Sequence, residues 1–206
     1  MKKIILFLMV LAISLSLAVS SSAAFITIDG ITYKSYTGWA TSKSTGNKSY
    51  YKDGKRVTGV QLLNGVRYVF DEKGVYLLKR DNAKEKYSVI FKDNYDVSLE
   101  DGKISFEVKV NDTNGIKMND TWADPYFSLS VYKDGKWKKL SYKNTVFPAY
   151  ALVALEGLFR FSGNTSSFDY NFEPGLYRVE ALVSDGKRDK DNKMIETKVY
   201  GEFNLV

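Results

Sequence analysis

Apolar and polar residues alternate along most of the chain after residue 24. Every second residue is apolar over 104–110, 127–131 and 177–183, and three apolar side chains share one face over 199–205. A period of two places neighbouring side chains on opposite faces of a strand, so these segments predict β-strands with one buried face. The pattern therefore predicts an all-β protein.

Two-residue turn signals separate the predicted strands. Asp-Gly and Asn-Gly favour the positive φ angles that a tight hairpin needs. These dipeptides are Asp29-Gly30, Asp53-Gly54, Asn64-Gly65, Asp101-Gly102, Asn114-Gly115, Asp134-Gly135 and Asp185-Gly186. One apolar block, 149–158, fits a helix opened by Pro148 as well as it fits a buried strand, and the sequence leaves both open.

The first 24 residues have the layout of a secretory signal peptide. Lys2 and Lys3 precede an apolar run over 4–19, and small residues follow over 20–24. The run is short for a membrane span, which needs roughly 20 residues. We predict a signal peptide at 1–24, cleaved after Ala23 or Ala24, and a secreted protein with no transmembrane segment after cleavage. An uncleaved N-terminal anchor is the alternative.

The amino-acid composition excludes several kinds of catalytic and metal site. The chain has no Cys and no His, which excludes Ser-His-Asp and Cys-His catalysis and zinc sites built from those residues. Without Lys2 and Lys3, 28 basic residues face 24 acidic ones, an excess of +4 that does not indicate nucleic-acid binding. Acidic residues over 185–192 could suggest calcium, but interspersed basic residues favour a solvated turn. We predict no enzyme activity, no metal and no cofactor; hydrolysis by two carboxylates remains a third hypothesis.

A polar segment at 79–86 predicts a linker between two regions, 25–80 and 85–206. The first contains a repeat, because Thr37-Gly38-Trp39 and Thr58-Gly59-Val60 are alike and 21 residues apart. A repeat of this length indicates stacked units, here one hairpin each. Since a lone hairpin is barely stable, the units should pack on each other and on the second region.

The first region resembles the cell-wall-binding, or choline-binding, repeats of Gram-positive surface proteins. The resemblance covers Gly38-Trp39, the stretch 50–59 and the stretch 64–74. It implies a ligand surface made of aromatic side chains, which are Trp39, Tyr50, Tyr51, Tyr68 and Phe70. Val60 and Arg67 depart from the pattern, which usually has tryptophan near both positions. Choline capture, stacking on glycan and mutual packing of the rings all remain open.

The second region resembles a bacterial Ig-like domain. A strand at 87–91, the alternating segments and Pro174-Gly175-Leu176-Tyr177-Arg178 before a late strand carry the resemblance. It implies a β-sandwich of about seven strands without the Cys…Trp…Cys signature. Trp122, within the stretch 119–125, is predicted to lie on a loop. The fold class is thus a small β-hairpin repeat module plus an Ig-like β-sandwich.

Together these features predict a secreted, cell-envelope-associated binding protein. The repeats would contact cell-wall polymer or glycan through their aromatic residues, and the sandwich would act as spacer or recognition domain. The alternative is a soluble secreted module that binds another protein, such as a surface protein, and whose repeats are only structural.

Overall fold

The structure is a computed structural model that describes residues 25–28, 31–82, 84–93, 95–99, 102–111, 121–143, 152–154 and 157–206. Over these ranges the chain forms β-strands and one 3-10 turn, Thr165–Ser167, but no α-helix, which confirms the all-β prediction. The same ranges contain no helix long and apolar enough to cross a membrane. The predicted signal peptide, 1–24, lies outside the described residues.

The first region forms a hairpin and two three-stranded antiparallel sheets. The hairpin pairs β1 (Phe25–Ile28) with β2 (Ile31–Lys34). The first sheet, unit 1, contains β3 (Gly38–Thr41), β4 (Lys48–Lys52) and β5 (Lys55–Arg56). The second sheet, unit 2, contains β6 (Gly59–Leu63), β7 (Val66–Phe70) and β8 (Tyr76–Arg80). Each repeat is therefore a three-stranded sheet, and the expectation of one hairpin per repeat was wrong.

The predicted linker is shorter than 79–86. Lys79 and Arg80 belong to β8, where they pair with Tyr68 and Arg67. At the end of this strand, the Arg80 guanidinium donates two hydrogen bonds to the Glu202 carboxylate of the second region. Residues 81–86 connect the two regions, and residue 83 among them is outside the described ranges.

The second region contains two sheets packed face to face. Its strands are β9 (Tyr87–Ile90), β10 (Asp96–Val97), β11 (Lys103–Val110), β12 (Trp122–Lys133), β13 (Lys136–Lys139), β14 (Leu152–Val153), β15 (Leu158–Asn164), β16 (Gly175–Arg188) and β17 (Met194–Leu205). One sheet has the order β15-β11-β9, and the other has the order β10-β17-β16-β12-β13 with β14 beside β12. β10 pairs with β17 in parallel, whereas the other pairs of both sheets are antiparallel.

The alternating residues of both sheets fill the space between them, as the sequence predicted. β11 has Ile104, Phe106, Val108 and Val110 buried in turn, and β16 does the same with Tyr177, Val179, Ala181 and Val183. At the start of β16 the Tyr177 hydroxyl donates to the Glu173 carbonyl oxygen at 2.8 Å. The hydrogen bond ties the start of β16 to the backbone four residues upstream.

The two regions share one hydrophobic core. Val60 and Val69 of unit 2 are buried in the same cluster as the sandwich residues Val89 and Phe203. Unit 2 thus lies between unit 1 on one face and the sandwich on the other. The prediction that the repeats pack on each other and on the second region is confirmed.

Three of the predicted two-residue turns have positive φ at both central residues. They are Asp53-Gly54, Asn64-Gly65 and Asp134-Gly135, which join β4–β5, β6–β7 and β12–β13. Positive φ at both positions defines the type I′ turn, whose twist matches that of the flanking strands. The pairs Asp29-Gly30, Asn114-Gly115 and the residue Asp101 lie outside the described residues.

Two local predictions were wrong. Asp185-Gly186 does not close a hairpin but sits in an irregular part of β16, because the turn to β17 comes later, at Asp189 to Lys193. Trp122 begins β12 instead of lying on a loop, since it pairs with Ser184 and Val153. Of the ambiguous block, the described residues 152–153 are strand, whereas 149–151 and 155–156 lie outside the described residues.

Candidate ligand-binding site

Three of the five predicted site residues meet at the contact between units 1 and 2. Trp39 lies directly opposite Tyr50 in the β3–β4 pair, so the two side chains share a face. That face lies on unit 2, where the Trp39 ring centroid is 5.1 Å from that of Tyr68. Tyr76 of β8 completes the group at 5.7 Å from Trp39. We call Trp39, Tyr50, Tyr68 and Tyr76 the ring cluster.

Phe70 supports the ring cluster from below. Its side chain is fully buried, with its ring centroid 5.7 Å from that of Trp39 and tilted by 33°. Trp39 itself remains 41% exposed. The structure therefore places Phe70 beneath Trp39 with its side chain buried, and its contact with a ligand stays a prediction.

Tyr51 points away from the ring cluster. It follows Tyr50 in β4, so its side chain lies on the opposite face of the strand. It is 8% exposed, its hydroxyl oxygen accepts hydrogen bonds from Arg56 Nε and Nη2 at 3.2 and 2.9 Å, and its ring packs edge-on against Tyr36. The structure places Tyr51 on the face of β4 opposite to that of Tyr50, and its contact with a ligand stays a prediction.

An open groove runs beside the exposed Trp39 ring. It has a volume of about 320 Å³ and is lined by Trp39, Thr41, Lys48, Tyr68, Tyr76 and Lys79. The register explains the set: Thr41 pairs with Lys48 and Tyr68 pairs with Lys79, and paired residues share a face. Burial, with a smaller contribution from Tyr68, raises the pKa of Tyr76, so its hydroxyl stays protonated at neutral pH.

Sequence reasoning missed Tyr76, Lys48 and Lys79 as members of this groove. Tyr76 follows the stretch 64–74 that resembles the known repeats, and it reaches the groove through an irregular pairing with Phe70. The sequence signal that could have identified Tyr76 is the pair Tyr68 and Phe70 on one face of β7, because a strand beside such a face often carries a ring that packs on it. Nothing in the sequence indicated which of the many lysines would flank the rings.

The rings contact one another directly. Centroids of Tyr50, Tyr68 and Tyr76 lie 5.1–5.7 Å from that of Trp39, and the ring planes meet at 63–85°. Edge-to-face pairs of aromatic rings have this spacing when they touch. A trimethylammonium group therefore has no space between these rings, and the exposed part of the Trp39 surface is what remains for a ligand.

A buried charge cluster holds unit 2 to the sandwich. The fully buried Glu202 carboxylate of β17 accepts hydrogen bonds from Arg80 Nε and Arg178 Nε, both at 2.9 Å, and Arg67 Nη2 lies 3.7 Å away. Arg67 is also fully buried, donates to the Val89 carbonyl oxygen and stacks on Tyr95. Burial favours the neutral acid, but the guanidinium groups, chiefly Arg80, hold the pKa of Glu202 below its ordinary value.

A cleft between unit 2 and the sandwich contains two carboxylates. It has a volume of about 540 Å³, and Glu72 and Asp96 are among the lining residues. The Asp96 carboxylate accepts a hydrogen bond from Asn204 Nδ2 at 2.7 Å, and Asn204 Oδ1 accepts one from the Val60 backbone N–H at 2.8 Å. Asp96 thus holds the Asn204 side chain, which joins the two regions through its hydrogen bond with Val60.

Within the described ranges, no three acidic side chains converge as a metal site would require. In the segment 185–192, Asp185 binds Lys86 Nζ at 2.6 Å, and the Asp189 carboxylate accepts backbone N–H groups of its own turn. These carboxylates are occupied by protein donors.

No protein-family profile and no curated protein matches the chain. Two solved structures of the extracellular domain of BT4673 from B. thetaiotaomicron align with it, one described as a hybrid two component system and the other as a one component system. Their identities are 11% and 12% and their TM-scores are 0.25 and 0.24. The alignments cover 92% and 89% of this chain but only 26% and 24% of those chains. At these TM-scores the likeness supports no statement about this protein.

Proposed function

We propose that this protein is a secreted binding protein that holds a cell-wall polymer or glycan at the groove beside the ring cluster. The observation that carries the proposal is the exposure of Trp39, which is 41% accessible although four other rings surround it. An exposed tryptophan supported by a buried ring offers a rigid apolar face for a sugar ring. The Ig-like sandwich serves as the support to which unit 2 is fixed.

A pull-down on purified Gram-positive cell walls tests this proposal. The protein is recovered from the medium of an expressing Gram-positive host, which also tests export. We expect Trp39→Ala/Tyr68→Ala to lose most wall retention, because both changes remove ring surface from the groove. Leu62→Ala is the matched control, since Leu62 is also apolar and 51% exposed but does not line the groove. Equal retention of the wild type, the double variant and Leu62→Ala, with unchanged folding by circular dichroism, would contradict wall contact at the rings.

We also propose that the protein binds its ligand without transforming it. The groove residues are aromatic, hydroxyl and lysine side chains, and no carboxylate is among them. Glycoside hydrolysis needs two carboxylates on either side of the bond. The cleft that contains Glu72 and Asp96 brings two carboxylates to one cavity, so we choose it to test for such activity. Release of reducing ends from wall glycan by the pure protein, abolished by Glu72→Gln, would refute this part.

A second candidate function is recognition of another protein. It is favoured by Met194 and Ile195, two adjacent apolar residues at the start of β17 that are 36% and 45% exposed. Because successive residues of a strand point to opposite faces, this end of β17 exposes one apolar side chain on each face, and either could contact a protein partner. Cross-linking of the secreted protein to intact cells distinguishes the two: loss of the cross-linked species in Ile195→Ser, but not in Trp39→Ala, would favour this second function.

A further inference from the structure

Two lysines flank the ring cluster. Lys48 precedes Tyr50 by two residues in β4, so both side chains lie on the face of Trp39. Lys79 lies opposite Tyr68 in the β7–β8 pair. Both lysines are exposed and both line the groove. The register of two separate strand pairs thus brings two positive charges to the edges of one aromatic surface.

These two charges are available to a ligand. Among the described residues, neither Lys48 nor Lys79 lies within ion-pair distance of a carboxylate, and no Asp or Glu lines the groove. Other lysines of the protein are paired, for example Lys86 with Asp185 and Lys198 with Glu180. A groove with unpaired positive charges attracts anions and repels cations such as a quaternary ammonium group.

From this arrangement we infer that the polymer bound at the groove is an anionic sugar or polyol polymer, with phosphate or carboxylate groups spaced along it. The inference rests on the proposed function and names its ligand class. The Trp39 face contacts an apolar ring or chain segment of the polymer, and Lys48 and Lys79 pair with its anionic groups on either side. Each exposed ion pair contributes little by itself, so the two lysines and the ring must act together.

The test measures binding of the secreted protein to three immobilised polymers: poly(glycerol phosphate), polygalacturonate and neutral dextran. We expect binding to one or both anionic polymers, weaker binding to dextran, and weaker binding to the anionic polymer as salt is raised. The phosphate and carboxylate polymers distinguish the two sources of negative charge. Choline chloride, added as a competitor, is expected to leave binding unchanged.

Lys48→Gln/Lys79→Gln is the decisive variant, and Lys190→Gln/Lys193→Gln is its matched control. Both remove two positive charges from exposed positions, but Lys190 and Lys193 lie in the β16–β17 turn and do not line the groove. We expect the groove variant to weaken binding to the anionic polymer about tenfold and the control to weaken it less than about twofold. The amide side chains retain length and polarity, so folding should be unaffected.

The outcomes separate the inference from the proposed function. Equal effects of the two lysine variants, or salt-independent binding to dextran that Trp39→Ala abolishes, would overturn the anionic ligand and leave the ring site intact. If Trp39→Ala changes binding to none of the polymers and none of the cell-wall material, the proposed function itself fails and the inference fails with it. Loss of anionic-polymer binding in both Trp39→Ala and the groove variant supports both.

Discussion

Units 1 and 2 begin with the same local sequence, but the residue that follows it is exposed in unit 1 and buried in unit 2. Each starts with Thr-Gly, and the next residue is Trp39 in unit 1 and Val60 in unit 2. Trp39 is 41% exposed, whereas Val60 is 4% exposed and its backbone N–H donates a hydrogen bond to Asn204 Oδ1 of the sandwich. The same position of the repeat therefore forms an open surface in one unit and a closed interface in the other.

The difference follows from what each unit packs on. Each position after Thr-Gly packs on the next layer along the chain, which is unit 2 for Trp39 and the sandwich for Val60. A tryptophan covers the irregular, partly open contact between two small sheets, and a valine fits the close contact with a strand. The change from Trp39 to Val60 thus marks the place where the repeat packs against the sandwich.

The largest loss of stability should come from a change in the buried charge cluster around Glu202, which holds unit 2 to the sandwich. Glu202→Ala leaves Arg67 buried without its counter-charge, and we expect a loss of about 3–5 kcal/mol in the free energy of unfolding, measured with urea. Glu107→Ala is the control, because the pair of Glu107 with Arg160 is exposed and should contribute at most about 1 kcal/mol. Equal losses in the two variants would mean that the cluster does not stabilise the interface.

Acid should weaken the same interface, because it protonates the Glu202 carboxylate. The effect should be smaller than that of Glu202→Ala, since the protonated side chain still fills its place. The pKa of Glu202 is below its ordinary value of 4.5 in the folded protein. Its stabilising contribution is therefore fully present above that value and is lost as the pH falls through the folded pKa. The stability difference between the wild type and Glu202→Gln should shrink between about pH 5 and about pH 2. A constant difference over this range would contradict the assignment.

Two glycine substitutions compare the closed interface of unit 2 with the sandwich and the open turn between β6 and β7. Gly59 has φ +67°, and a Cβ there would lie 2.2 Å from Asn204 Oδ1, whereas Gly65 has φ +78° with no atom within 4 Å of its Cβ position. We expect Gly65→Ala to lose about 1 kcal/mol from backbone strain alone and Gly59→Ala to lose about 2–3 kcal/mol, by thermal and urea unfolding. Similar losses would show that Gly59 does not sit in a tight contact.

The smallest effect is expected inside the sandwich, away from both surfaces. Tyr177→Phe removes the hydrogen bond to the Glu173 carbonyl oxygen and keeps the ring, so about 1 kcal/mol of stability should be lost. Polymer binding at the ring cluster should not change, which makes this variant a stability control for the binding experiments. A change in binding equal to that of Trp39→Ala would contradict the separation of the site from the sandwich.

Much of the fold was predictable because strand signals are local. The alternation over 104–110 and 177–183 identified β11 and β16, and the Asn-Gly at Asn64 identified a type I′ turn. Local signals failed where pairing across the chain decides the outcome. Trp122 reads as a loop residue, but its pairing with Ser184 makes it part of β12.

By itself, the sequence determined that this protein is all-β, where most strands and turns lie, and that several aromatic residues lie on the predicted strands of the repeats. Only the tertiary structure decided that Trp39, Tyr50 and Tyr68 meet, that Tyr51 faces away and that Phe70 is buried. Neighbouring residues of a strand point to opposite faces, so the role of each ring depends on which face the next layer covers. That choice is made by contacts between residues far apart in the chain, which no local pattern records.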